Sequence, residues 1–265
     1  FDLQPDASIW PELPALNRMA TRLGYAMSRG RAEAEVAWLY PEWKVQNFPN
    51  FGVEPGAFES ETSKALRAAG LTYTRVSRNA LRDAVASDAS LRIGEASFDA
   101  LVVSDVLAAD PSLLASIQAA ADAGIPVVWL GDFPTRADGL VDASARDAEV
   151  AMWVESLESS VDVVREASEV APALLSAGVV PSLAPLDENG TQLSVAHRRV
   201  SGGELHYVFN ESFVERSEQL RVAGAFARLT LFDPDTGEQL PTMLDGDVVA
   251  LTLGPAQGVV LYIER

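Results

Sequence analysis

FDALVVSDVLAADPSLLASIQAAADAGIPVVWL, residues 98–130, holds the alternation on which the reading of the fold turns. Its first segment, 98–104, is an almost unbroken apolar run that stops at Ser104. DPSLLASIQAAADAG then carries the marks of a helix: Asp110 as cap, Pro111 in the first turn and Gly124 as the stop. IPVVWL, 125–130, is a second apolar run. Neither run alternates apolar with polar residues, as a strand with one wet face would. Continuous runs joined through a helix are the pattern of parallel strands covered on both faces.

The same alternation extends outward. Upstream, 36–40 and 73–76 read as strands, with helices over 59–69 and 79–86. Downstream, 145–159 reads as a helix, 161–164 as a fifth strand and 167–177 as a last helix. Residues 32–182 therefore read as an α/β domain, an open doubly wound parallel sheet of the flavodoxin type. Before it, Leu13, Leu16, Met19, Ala20, Leu23 and Met27 recur at helical spacing, so 1–31 reads as a leading segment with one helix. After Pro181 the texture changes. PSLAPLDENG, 181–190, serves as a linker, followed by short runs such as QLSVAHRRV, ELHYVFNES, FARLTLF and GVVLYIE between SGG and DPDTGE turns. Residues 183–265 read as a small antiparallel β-sandwich of about seven strands.

Composition excludes several function classes. The chain has 265 residues, 38 acidic against 20 basic, and a formal charge of −18. Such a surface repels nucleic-acid phosphates and anionic lipid, so neither nucleic acid nor membrane is expected as a partner. The longest basic cluster is only His197-Arg198-Arg199, and no apolar run approaches the ~20 residues of a membrane span. There is no cysteine, which removes disulfides, thiolate metal sites and cysteine nucleophiles but leaves the compartment, oxidising or reducing, undetermined. The chain starts at Phe1 with neither an initiating methionine nor a signal-peptide pattern, and we expect it to be a processed product or part of something longer.

In open α/β sheets ligands sit beyond the carboxyl ends of the strands. The loops there are YPEW, SDV and GDFP, which would bring Tyr40, Glu42, Trp43, Ser104, Asp105, Gly131 and Asp132 to one crevice. A tryptophan among carboxylates suits a sugar; the alternative is that these are ordinary edge loops whose acids cap helices. YPEWKVQNFPNFGVEPGAF, 40–58, adds Phe48, Phe51 and Phe58, an aromatic loop suited either to a site mouth or to an interface. No G-x-G-x-x-G or G-x-x-x-x-G-K-[ST] follows a strand, so no nucleotide is expected. No G-x-S-x-G elbow is present, and the two histidines, His197 and His206, both lie in the β-rich tail. With Gly202-Gly203 as a hairpin turn, His197 would face Val208 and lie diagonal to His206, with no third ligand in register. They are expected to be surface residues; no metal and no cofactor is assigned. Among so many acids no pair stands out for glycosidase chemistry.

The order of the segments carries a resemblance. W-P-x-L-x-x-L-N-R-x-x-x-R-L-x-Y-x-x-x-x-G (10–30) leads into V-A-x-L-Y-P (36–41). A-L-x-x-A-G-L-x-Y-x-x-V-S (65–77), F-D-A-L-V-V (98–103) and A-G-I-P-V-V-W-L-G (123–131) follow. Y-V-F-N-E-S (207–212) and L-F-D-P-D-T-G-E (231–238) close the series. It resembles the C-terminal portion of multidomain bacterial glycoside hydrolases, most closely the family 106 α-L-rhamnosidase-like proteins. It is similar also to the rear two domains of family 42 β-galactosidases. The resemblance implies an amidotransferase-like α/β domain followed by a β-domain. It also implies a partner, an upstream (β/α)8 barrel that carries the catalytic acids, and it implies homo-oligomer assembly as a further role. The chain has no eightfold βα series, so no catalytic residue transfers to any position here. An active amidotransferase-like domain carries a cysteine nucleophile, which is absent. The expectation is a non-catalytic region supporting the barrel, an assembly or the substrate rim. The alternatives are a carbohydrate-binding module and a small glycosidase using crevice carboxylates.

Overall fold

The computed structural model describes residues 8–39, 60–87, 89–139 and 141–265. The chain divides into two compact units, Glu33–Thr191 and a unit made of Phe1–Ala32 with Gln192–Arg265. The segment expected as a leader thus groups with the β-rich tail.

Helix α1 (Leu13–Met27) and the short strand β1 (Arg31–Glu33) come first. The α/β unit then runs β2 (Val36–Leu39), α2 (Glu61–Ala68), β3 (Tyr73–Val76), α3 (Arg78–Arg82), β4 (Val85–Ser87), β5 (Ser90–Ile93), β6 (Ala96–Phe98) and β7 (Ala100–Ser104). It continues through α4 (Pro111–Asp122), β8 (Val127–Leu130), α5 (Ala143–Leu157), β9 (Asp162–Val164), α6 (Ala167–Ser176) and β10 (Leu183–Pro185). Strands β3-β2-β7-β8-β9 form one sheet in that order, and every pair is parallel. The chain reverses direction across the sheet between β2 and β7, so the switch point lies at their carboxyl ends.

Two apolar layers hold this sheet. Leu39, Leu101, Val103 and Trp129 point to one face and meet Leu81, Leu113, Ile117 and Leu157 of α3, α4 and α5. Their neighbours in sequence, Trp38, Ala100, Val102 and Val128, point to the other face and meet Leu66, Val170 and Leu174 of α2 and α6. Both faces being dry explains the unbroken apolar runs in the sequence. Each fully buried leucine or valine contributes about 1.5–3 kcal/mol. The caps follow the sequence signals: the Asp110 carboxylate accepts from Ser112 N–H at 2.8 Å, and Ser60 Oγ accepts from Ser63 N–H at 3.1 Å.

The stretch between α3 and β7 departs from the sequence reading. The helix expected over 79–86 ends at Arg82, and the strand expected over 98–104 begins at Ala100. Between them β4, β5 and β6 form a small antiparallel sheet, with Gly94 at φ 61° in its second turn. These strands have three or four residues each, too few for a period-two signal to stand out.

The other unit is completed by β11 (Ser194–Val200), β12 (Gly203–Phe209), β13 (Arg216–Val222), β14 (Arg228–Phe232), β15 (Gln239–Leu240), β16 (Met243–Asp245), β17 (Val248–Leu253) and β18 (Gly258–Glu264). One antiparallel sheet has the order β11-β12-β18-β14-β15, bordered by β1; in a second, β17 pairs with both β13 and β16. Helix α1 lies against β12. The chain after Met27 is tied down as well: Arg198 donates to the carbonyl oxygens of Arg29 at 2.6 Å and Gly30 at 2.9 Å.

The β11–β12 hairpin corrects the expected register. Its turn is Ser201-Gly202, with Gly202 at φ 83°, and Val200 pairs with Gly203. Gly203 opens β12, and a Cβ there would stand 2.0 Å from the Ile263 carbonyl oxygen, so the position requires glycine. His197 therefore faces His206, not Val208.

Candidate functional site

The carboxyl ends of the parallel strands carry the polar cluster of the α/β unit. Ser104 and Leu130 are register partners, so Asp105 and Gly131 leave adjacent strands at one level. Asp105 takes the left-handed conformation at φ 55°, which aspartate tolerates better than most residues. Gly131, at φ 92°, donates its N–H to Val164 O at 3.0 Å. Ser104 is buried, and its hydroxyl oxygen accepts from Trp38 Nε1 at 2.9 Å, which ties it to the core. The Asp132 side chain is 93% exposed and pairs with Arg165. Tyr40, Glu42, Trp43 and the aromatic loop through Phe58 lie outside the described residues.

Beside these strand ends is a cavity of about 260 Å³ lined by Arg78, Asn79, Arg82, Asp110, Leu113 and Asp138. Arg78 and Asn79 follow β3, Asp110 caps the helix after β7, and Asp138 lies beyond β8. Arg78 donates to the Asp138 carboxylate at 2.5 Å. Arg146, from α5, donates to Asp110 at 2.8 Å and to Asp138 at 3.2 Å, and also to the Asp138 carbonyl at 2.7 Å. The loop is pinned further by Ala109 and Ala137, which form a parallel bridge, and by Ala137 N–H, which donates to Asp147 at 2.7 Å. The hydrogen bond from the Ser112 hydroxyl holds the Asp110 carboxyl below its ordinary value. The Ser112 backbone N–H, Arg146 and Arg82 add to this, against a partial burial that would raise it.

Chemically this is a rim of alternating guanidinium and carboxylate groups. Forks of that kind suit pairs of hydroxyls, because each vicinal diol can donate to an aspartate and accept from an arginine. It is a poor acid–base device. Asp110 is held ionised, both aspartates are paired with arginine, and the chain's two histidines are far along the sequence in the other unit. Arg78, Arg82, Asp110 and Asp138 were not among the residues singled out from sequence. Asp110 was legible only as a cap, and nothing local marks a cluster assembled from the ends of three strands.

The second polar cluster overturns the expectation of surface histidines. His197 and Glu204 are buried and His206 is 0% exposed. The two imidazoles stack with centroids 4.1 Å apart and planes 15° from parallel. Glu204 Oε2 lies 3.7 Å from His197 Nε2, while Arg265 donates to the same oxygen at 2.8 Å and Arg199 reaches Oε1 at 3.3 Å. Burial alone would raise the Glu204 carboxyl; His197 and the directly bonded Arg265 outweigh it and hold the group well below the carboxylate range. Burial pushes His206 well below the usual imidazole value, with His197 adding to the effect. On β12, Leu205, Tyr207 and Phe209 share the opposite face. That face is only half-buried, whereas Glu204, His206 and Val208 are fully buried.

The fold, a five-stranded parallel α/β unit together with a unit of antiparallel sheets, is like that of parts of several solved glycoside hydrolases. It is similar to a rhamnosidase from Novosphingobium sp. PP1Y, with a TM-score of 0.70 and 18% identity, over 95% of this chain and 24% of that one. It is similar also to a GH42 β-galactosidase from G. stearothermophilus, with a TM-score of 0.52 and 11% identity over 99% of this chain and 45% of that one. A β-galactosidase from Bacillus circulans sp. alkalophilus gives a TM-score of 0.53 and 13% identity over 99% and 46%. The chain thus spans about a quarter of the rhamnosidase and less than half of each galactosidase. No family model matches the sequence, and no curated protein does either. Among the described residues no helix is long and apolar enough to cross a membrane.

Proposed function

We propose that this chain is a non-catalytic region of a multidomain glycoside hydrolase of the α-L-rhamnosidase-like kind, in which it supports a catalytic barrel, an assembly or the substrate rim. The observation that carries the reading is the coverage: 95% of this chain superposes on only 24% of the rhamnosidase. The state of the strand ends supports it. Ser104 is committed to Trp38, and the carboxylates of the cavity are committed to arginines, so neither is poised as nucleophile or acid. In this reading the α/β unit is an amidotransferase-like scaffold, the β unit is a sandwich, and the bond-breaking residues belong to another part of the parent enzyme. The test is turnover of 4-nitrophenyl α-L-rhamnoside and β-galactoside by the purified chain. No release above the buffer blank is expected; hydrolysis proportional to protein would overturn the reading.

A second reading is favoured by the 260 Å³ cavity with its guanidinium and carboxylate rim: a carbohydrate-binding module that holds a sugar at the strand ends. Calorimetric titration with L-rhamnose and D-galactose separates the two. Millimolar or tighter binding that Asp138→Ala weakens at least tenfold would favour the module; heats indistinguishable from dilution would dismiss it.

A further inference from the structure

We propose that His197, Glu204 and His206 form a binding site for a divalent transition-metal ion, with zinc as the natural occupant. Three observations meet here. All four imidazole nitrogens of the cluster, Nδ1 and Nε2 of both histidines, are buried and lack a hydrogen-bond partner in the protein. Buried polar atoms are rarely left so, and a group of four in one place is a specific anomaly. One donor atom from each of His197, Glu204 and His206 lies within 4.8 Å of the others. The three sit on one hairpin, with His197 and His206 directly opposed in register, so the backbone already holds the donors together. Two imidazoles and one carboxylate are a recurrent zinc donor set, taken at about 2.0–2.2 Å with a fourth position for water.

The geometry also states what binding requires. Tetrahedral ligation puts donor atoms about 3.3 Å apart, so the side chains close in by about 1.5 Å at most. The rings must tilt out of their stack, because lone pairs lie in the ring planes and parallel rings do not aim at one point. Arg265 and Arg199, which pair with the Glu204 carboxylate, oppose a dication and limit affinity. Arg199 is the informative one, since its side chain is 47% exposed and it lies at the edge of the cluster.

The experiment uses the whole chain, stripped with a chelator and titrated with zinc and with cobalt at pH 7.5. Expected are one metal per chain, a rise in Tm with zinc, and the visible bands of tetrahedral cobalt. His206→Phe keeps a flat ring in the stack and should lose all three; Arg199→Ala should tighten zinc binding about fivefold or more. Absence of saturable one-to-one binding, or binding that His206→Phe leaves unchanged, would overturn the site. The second result is what zinc scattered over the chain's exposed carboxylates would give. If His206→Phe does not fold, the arginine variant decides alone, and unchanged zinc affinity overturns the proposal.

Discussion

Gly203 illustrates how one residue sets a register. The doublet Gly202-Gly203 reads as the turn itself, whereas in the structure Gly203 opens β12 and lies against the Ile263 carbonyl. That contact is non-local, so the pairing of His197 with His206 was not legible, and the buried cluster went unseen with it. Gly203→Ala is expected to destabilise the protein by about 1–3 kcal/mol, read as a lower urea midpoint at unchanged m-value, whereas Gly94→Ala meets no atom within 4 Å and strains only its own φ. Ser104 was legible as a strand-end residue but not as a partner of Trp38, because the strands that bring them together are 66 positions apart in the chain. Ser104→Ala leaves a buried indole N–H unpaired and should cost about 1–3 kcal/mol in the same assay, with the tryptophan emission shifted.

Helices were the most readable elements, since their signals are local. Asp110, Pro111 and Gly124 announced α4 at both ends, and the structure places the cap hydrogen bond where those letters put it. The pH behaviour of this cap can be stated with its sign. The Asp110 carboxyl lies below its ordinary 3.8 in the folded protein, so its contribution is complete above that value and fades as pH falls through the lower, folded one. Asp110→Ala should therefore lower stability by about 1 kcal/mol at pH 7, with the gap to wild type closing below about pH 4. Thermal melts at pH 7, 5 and 3.5 check this; a gap that stays constant through the acid range would show that the carboxylate's charge plays no part. Short strands were the least readable elements. β4, β5 and β6 hold together through pairing with one another, and none carries enough residues to show a period alone.

At the level of the molecule, the parallel α/β core was legible because burial on both faces leaves an imprint no surface element shares. The strand-end cavity was not legible, because its arginines and aspartates come from the ends of three different strands. A charge of −18 on a chain this size makes self-repulsion a whole-molecule term. Raising sodium chloride from 20 to 300 mM should increase Tm as the Debye length shortens from about 20 to about 6 Å, and a fall in Tm would mean that local ion pairs dominate. The division into units has a different sequel, in the order of synthesis. Helix α1 belongs with strands that begin at Ser194, after the α/β unit in the chain. A ribosome adding about 5–20 residues each second leaves that helix without its complete sheet for roughly 10–50 s, while the inserted unit can already close its core. During that wait the half-apolar face carrying Met19, Leu23 and Met27 is a natural client surface for whatever guards nascent chains, and a helix made ahead of the α/β unit settles after it.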